Sequence, residues 1–229
     1  MSEPVVGVLL VVAGYFAGSF PTARIIGMLS GHDHSKEGSG NPGASNVYRT
    51  SGAAYGLLTF FVDAAKGFIP VLVTLLVLDR QWAAVVWVAA TAGHILPFAR
   101  FLRGGKGVAT GAGGSFPLFP WIGLPLVALF LVLVRQTRTA SVGSLVITVL
   151  MPLLVIFRYQ HWIELAATFV VSGLILLRHR ANIKRLVSGV FLDELRVADD
   201  RGEGGAKLVA HIRQELRLRL VRLLGHLLR

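Results

Sequence analysis

Two polar segments hold the residues best suited to chemistry. The first runs Gly31-His32-Asp33-His34-Ser35-Lys36-Glu37-Gly38-Ser39-Gly40-Asn41-Pro42-Gly43-Ala44-Ser45-Asn46-Val47-Tyr48-Arg49. Gly38, Gly40 and Gly43 let a ligand approach the backbone, while Ser39, Asn41, Ser45 and Asn46 offer neutral hydrogen-bonding groups. Lys36 and Arg49 add positive charge. That mixture suits a phosphate, although a plain interhelical turn also uses Gly, Ser and Asn. The second segment runs from Gly93 and His94 through Pro97, Arg100 and Arg103 into Gly104-Gly105-Lys106-Gly107-Val108-Ala109-Thr110. Its glycines can turn backbone N–H groups toward an anion beside the Lys106 ammonium, with the Thr110 hydroxyl at the start of the next helix. The spacing differs from Gly-x-x-x-x-Gly-Lys-Ser/Thr and no strand precedes it, which disfavours a nucleotide-hydrolysing loop.

Other polar residues cluster near these segments. Ser19, Pro21 and Arg24 sit just before the first, where Arg24 either snorkels to the interface or points into the same site. Asp63 and Lys66 lie three residues apart on one helical face inside an apolar stretch, so the pair must be satisfied within the protein. A structural ion pair and direct participation both fit. Arg138 and Ser141 share a later turn, and His179 and Asn182 share a helical face after the last apolar stretch. Gly111, Gly113 and Gly114 read as helix-packing residues. There is no Gly-x-Ser-x-Gly elbow, no His-Glu-x-x-His, no His-x-x-x-x-Asp and no cysteine. Nucleophilic catalysis and a cysteine metal site are therefore not expected.

The elements that must position these groups are apolar. Of 229 residues, 54% are hydrophobic and 15% charged, and the mean hydropathy is +0.65. This balance excludes an ordinary soluble enzyme and predicts an all-α polytopic membrane protein. The first apolar stretch lacks a basic leader and a clear cleavage site, so it reads as a retained span. Six simple spans cannot place the basic clusters of Lys36 and Arg49, of Arg100, Arg103 and Lys106, of Arg135 and Arg138, and of Arg178 onward all on one side. Seven spans can: 4–29, 52–78, 82–98, 107–118, 121–134, 140–157 and 161–177. The fourth is short and irregular, with Gly and Pro throughout; the rival is a five-span or six-span chain in which it is re-entrant. The N-terminus is then outside and the C-terminus cytoplasmic. Residues 1–189 form the membrane domain and 190–229 a basic extension, whose leucines from 208 to 228 recur at helical spacing. From Arg178 to the end, twelve Arg or Lys face six Asp or Glu, which suits anionic lipid and disfavours nucleic acid as a partner.

The motifs resemble those of the bacterial membrane glycerol-3-phosphate acyltransferases that take their acyl group from acyl phosphate. They are Gly18-Ser19-Phe20-Pro21, Asp33 leading into Gly38-Ser39-Gly40-Asn41-x-Gly43-Ala44-Ser45-Asn46-x-x-Arg49, Asp63-x-x-Lys66-Gly67, Gly93-His94-x-x-Pro97, Gly104 to Thr110, Arg138-x-x-Ser141 and Arg178 to Arg185. Together they cover about residues 14–189 in order. The chain departs from the pattern with Ser35 in place of Arg, Ser45 in place of Thr and Ala181 in place of Glu. Lys36 stands one position after the missing arginine, without its planar fork.

The resemblance implies a seven-span enzyme of the bacterial inner membrane, active on the cytoplasmic side. It would transfer an acyl group from acyl phosphate to the sn-1 hydroxyl of glycerol 3-phosphate, releasing lysophosphatidic acid and phosphate. It further implies Ser19, Lys106, His179 and Asn182 as catalytic residues. Lys36, Ser39, Gly40, Asn41, Gly43, Asn46, Arg49, His94, Gly104, Gly105, Gly107, Thr110, Arg138 and Ser141 would contact substrate. The activated anhydride requires neither a cofactor nor a metal. Membrane lipids and other lipid-synthesis enzymes are the candidate partners. The competing readings are an organic-phosphate transporter and a nonenzymatic membrane scaffold.

Overall fold

The computed structural model describes residues 1–99, 104–159 and 161–187. The chain divides after Arg178 into two units. The first carries nine helices among its described residues: α1 (Glu3–Gly18), α2 (Thr22–Ser30), α3 (Ala44–Ser51), α4 (Ala53–Val77), α5 (Arg80–Ile95), α6 (Val108–Leu118), α7 (Pro120–Thr137), α8 (Ala140–Arg158) and α9 (Trp162–Arg178). The second is described through one helix, α10 (Arg180–Val187). Arg100, Arg103 and the extension at 190–229, with its expected helix, lie outside the described residues.

The protein is an all-α polytopic membrane protein. Glu3–Ser30, Ala53–Val77, Pro120–Thr137 and Ala140–Arg158 are each long and apolar enough to cross the hydrocarbon core. Large apolar side chains on their outer faces, Phe61, Leu76 and Phe157 among them, are exposed as a lipid-facing belt requires. Every apolar stretch read from the sequence is helical over most of its length. The stretch at 107–118 forms α6, whose 11 residues reach only about 16 Å at the helical rise.

One expected element is divided. The stretch at 4–29 breaks into α1 and α2 around Ser19, Phe20 and Pro21. Pro21 lacks an amide hydrogen and disfavours helical backbone at the residue before it, so the α1 ladder ends and a second helix starts. The polar segment at 31–49, read as a loop, also holds the short α3, bounded by Gly43 and Gly52.

The inner packing rests on close backbone approach. A Cβ on Gly18 would strike the Ala90 carbonyl and one on Gly93 the Tyr15 carbonyl, so α1 and α5 meet through glycine from both sides. Gly67 and Gly113 bring α4 and α6 together in the same way, against the Thr110 and Ala64 carbonyls. Gly114 accepts the face of Trp87, whose Nε1 donates to the Gly111 carbonyl at 2.8 Å. The glycines of α6 are therefore packing residues. Around Trp87 the buried core continues through Val71, Val86, Leu118, Phe119 and Val155.

Candidate active site

The α1–α2 break opens one wall of a cavity of about 740 Å³. Ser19, Phe20, Pro21 and Arg24 line that wall, and Asp63 and Lys66 of α4, His94 of α5, and Gly104 and Gly105 also line the cavity. Residues 31–35, Pro42 and Pro97 also line it. The volume is in the range of small-molecule sites.

Each wall has a local cause. Ser19 caps α1: its hydroxyl donates to the Tyr15 carbonyl at 2.9 Å and approaches the Gly93 carbonyl at 3.3 Å, across the glycine seam. Lys66 and Asp63 form a buried ion pair, Nζ to Oδ1 at 2.7 Å, and Lys66 also donates to the Phe20 carbonyl at 2.6 Å. An ammonium has three donors, so this charge is neutralised and anchored at two points. His94 Nδ1 lies 3.8 Å from the same Asp63 oxygen.

The glycine segment after α5 folds back onto it. Gly105 N donates to the His94 carbonyl at 3.2 Å, and a Cβ on Gly104 would overlap the Ile95 carbonyl. A Cβ on Gly105 would strike the His94 ring, and Gly107 adopts φ +82°, in the left-handed region. Glycine is thus required at three positions by space or conformation. Arg178 braces the turn from α9, donating to the Gly104 carbonyl at 2.8 Å and to the Gly105 carbonyl at 3.2 Å.

The first polar segment is tied by its own side chains. Asn46 is buried; its Oδ1 accepts from Ser39 N at 2.8 Å and Ser39 Oγ at 3.1 Å, while Nδ2 donates to the His34 and Glu37 carbonyls, each at 3.0 Å. His34, also buried, pairs through Nδ1 with Thr50 Oγ1 at 2.8 Å. Thr50 Oγ1 donates to the Asn46 carbonyl, so His34 Nδ1 carries the proton in that bond. Burial, reinforced by the charge of neighbouring His32, holds the His34 imidazole below its ordinary pKa. Asp33 is held below the usual carboxylate value chiefly by the Ser35 hydroxyl, and Glu37 by the Asp33 amide and by His32.

Of the residues singled out in the sequence, Ser19, His94, Gly104 and Gly105 line the cavity. Lys106 and Gly107 follow directly in the chain. Lys36 is exposed and pairs with Asp33 at 3.3 Å. Ser39 and Asn46 are spent on the internal bonding of their segment, and Gly40, Asn41, Gly43 and Arg49 flank it without lining the cavity. Thr110 is buried, with its hydroxyl donated to the Asp63 carbonyl at 2.8 Å, so it joins α6 to α4. Arg138 and Ser141 lie at the α7–α8 turn, Arg138 with φ 51°. His179 and Asn182 belong to the second unit.

From sequence alone Asp63, Lys66 and Arg24 are ambiguous and fall outside the expected site residues, and Arg178 reads as a topology determinant. The cavity wall contains the first three, and Arg178 supports it. The visible signal for Asp63 and Lys66 was an ion pair inside an apolar stretch.

A family model described as glycerol-3-phosphate acyltransferase matches residues 8–189. A glycerol-3-phosphate acyltransferase of Anaeromyxobacter sp. (strain K) is 44% identical over 82% of this chain and 98% of its own. That of Trichlorobacter lovleyi is 38% identical, over 80% and 95%. The fold is similar to crystal structures of PlsY, an integral membrane glycerol 3-phosphate acyltransferase, in a glycerol 3-phosphate form (TM-score 0.77) and a lysophosphatidic acid form (TM-score 0.75). Each is 34% identical and covers 80% of this chain and 93% of the other.

Proposed function

The chain belongs to the glycerol-3-phosphate acyltransferase family, an inner-membrane enzyme joining an acyl group from acyl phosphate to glycerol 3-phosphate, and we propose that the transfer takes place at the cavity beside Ser19. The products are lysophosphatidic acid and phosphate. The observation that carries the location is the meeting of Ser19, Arg24, Lys66, His94, Gly104 and Gly105 around one space large enough for a phosphorylated glycerol.

In this reading the seven apolar stretches cross the membrane with the N-terminus outside, so that the cavity and the C-terminus face the cytoplasm. The sn-1 hydroxyl attacks the acyl carbon; the new ester C–O bond forms as the anhydride C–O bond breaks and phosphate departs. A substrate phosphate oxygen takes the hydroxyl proton. Lys106 offsets charge on the departing phosphate, and the backbone N–H groups of Gly104 and Gly107 are turned to it, Gly105 N–H being held by the His94 carbonyl. Ser19 holds glycerol 3-phosphate from the cavity wall, and Arg49 and Lys36 lend positive charge from the polar segment beyond it. Ser39, Gly40, Asn41 and Gly43 supply the facing segment, which Asn46 shapes. Arg138 and Ser141 contribute from the α7–α8 turn, and Thr110 fixes the start of α6. Orientation then supplies much of the rate, because the anhydride is already activated.

The test uses purified protein in lipid with palmitoyl phosphate and glycerol 3-phosphate, following lysophosphatidate and phosphate together. Stoichiometric products that vanish in folded Lys106→Ala, with none from acyl-CoA, support the assignment. Uptake of labelled glycerol 3-phosphate into vesicles without conversion would move the protein to the transporter class.

A further inference from the structure

The geometry points to the buried Asp63–Lys66 pair as the positioning element that sets the Ser19 wall of the cavity against its Gly104–Gly105 wall. This rests on the acyltransferase reading of that cavity. Lys66 reaches 46 residues back along the chain to hold the Phe20 carbonyl at 2.6 Å, in the gap where α1 ends and α2 begins. Phe20 follows Ser19 directly, and its carbonyl also accepts the Thr22 amide at 2.9 Å, so one ammonium fixes both ends of the break.

The other side of the pair faces the second wall. Asp63 Oδ1 lies 3.8 Å from His94 Nδ1, and the His94 ring lies where a Cβ on Gly105 would fall. The Asp63 backbone carbonyl accepts the Thr110 hydroxyl at 2.8 Å, in the first turn of α6 and just past the glycine segment. Two residues of α4 are thereby connected to α1, α2, α5 and α6. Asp63 and Lys66 are almost fully buried, and a charged pair held in a membrane protein at that cost has a stated use here: it adds a tie through α4 between two backbone breaks that otherwise meet only through α5.

The role is positioning, so it should appear as lost kcat rather than weakened substrate binding, together with a measurable movement of α2. The chain has no cysteine, which allows spin labels at two exposed lipid-facing positions, Leu29→Cys on α2 and Leu76→Cys at the far end of α4. In that labelled background, Asp63→Asn with Lys66→Met removes both charges and retains apolar volume. Expected are a shifted or broadened Leu29–Leu76 separation and kcat lower by about 10²-fold, with the KM for glycerol 3-phosphate within about threefold. Lys66→Arg keeps the charge pair and should show a smaller change in both quantities, and it carries the test where the neutral variant does not fold. A folded variant that loses kcat with the separation intact, or changes separation with kcat intact, overturns the proposal, as does a neutral variant unchanged in both. Absence of lysophosphatidate from the unsubstituted protein would instead remove the acyltransferase reading; the distance measurement then still decides whether the pair positions the walls.

Discussion

Arg80 and Glu164 face each other as a two-point ion pair, Nε to Oε1 at 2.7 Å and Nη2 to Oε2 at 3.2 Å. The same guanidinium donates to the Leu118 carbonyl at 2.8 Å and lies over the rings of Phe119 and Tyr159. It thus collects the ends of α5, α6 and α9, and satisfies a carbonyl that the short α6 leaves without a helical partner.

Arg80→Met is expected to destabilise the protein by about 2 kcal/mol, because it leaves the fully buried Glu164 without its cation. The value falls below the usual range for a buried pair because 40% of the arginine side chain is exposed. Arg80→Met combined with Glu164→Leu should recover most of the loss. Thermal unfolding in a fixed detergent measures both.

Glycine substitutions should divide by what lies beyond the hydrogen. Gly104→Ala places a methyl on the Ile95 carbonyl and should lower activity at least about tenfold by displacing the braced turn. Gly173→Ala, inside α9 with nothing within 4 Å, should stabilise by about 0.5–1 kcal/mol through helix propensity. Initial rates and melting temperatures of the two variants separate these outcomes.

The fold was largely legible because apolar stretches in a bilayer have few alternatives to helix. What hydropathy does not sense is where a helix stops inside such a stretch. Pro21 carried that signal, yet Phe20 and Ile25 on either side kept the stretch apolar. In the site, Ser19, His94, Gly104 and Gly105 were legible from type and position. The allegiance of Thr110 and Asn46 was not, since whether a hydroxyl or amide serves a ligand or a neighbouring carbonyl depends on tertiary contacts. Arg178 was hidden for the same reason: a cation at a helix end satisfies the topology rule whether or not it also holds a loop.

The polar segment at 31–51 should loosen in acid in two stages. His34 has a depressed folded pKa, so its contribution is complete above the ordinary histidine value of about 6.5 and is lost as pH falls toward the folded value. Asp33 and Glu37 are also depressed, and their contribution falls away below about pH 4. Hydrogen exchange of this segment, corrected for intrinsic rates, should show the first stage disappear in His34→Gln. Protection that rises as pH is lowered from 7 to 5 contradicts the assignment.

Arg138 is the one non-glycine residue with positive φ among the described residues. Arg138→Gly removes a left-handed backbone cost and should add about 1 kcal/mol of stability. The same change should raise the KM for glycerol 3-phosphate through loss of the guanidinium. A raised melting temperature with unchanged KM would exclude Arg138 from the substrate contacts.

The glycine seams also bear on how the protein meets bilayers of different thickness. With the α1–α5 and α4–α6 pairs interlocked backbone to backbone, sliding either pair by part of a turn would drive Cα atoms into carbonyls. The α7 span is the least buried of the four long ones and has no such seam with α4 or α5. Hydrophobic mismatch should therefore be absorbed by tilt of α7 and its neighbour α8, sparing the cavity half of the bundle. The kcat is then expected to vary little across short-chain and long-chain lipids, while the KM for glycerol 3-phosphate follows the re-angled outer pair through Arg138 and Ser141.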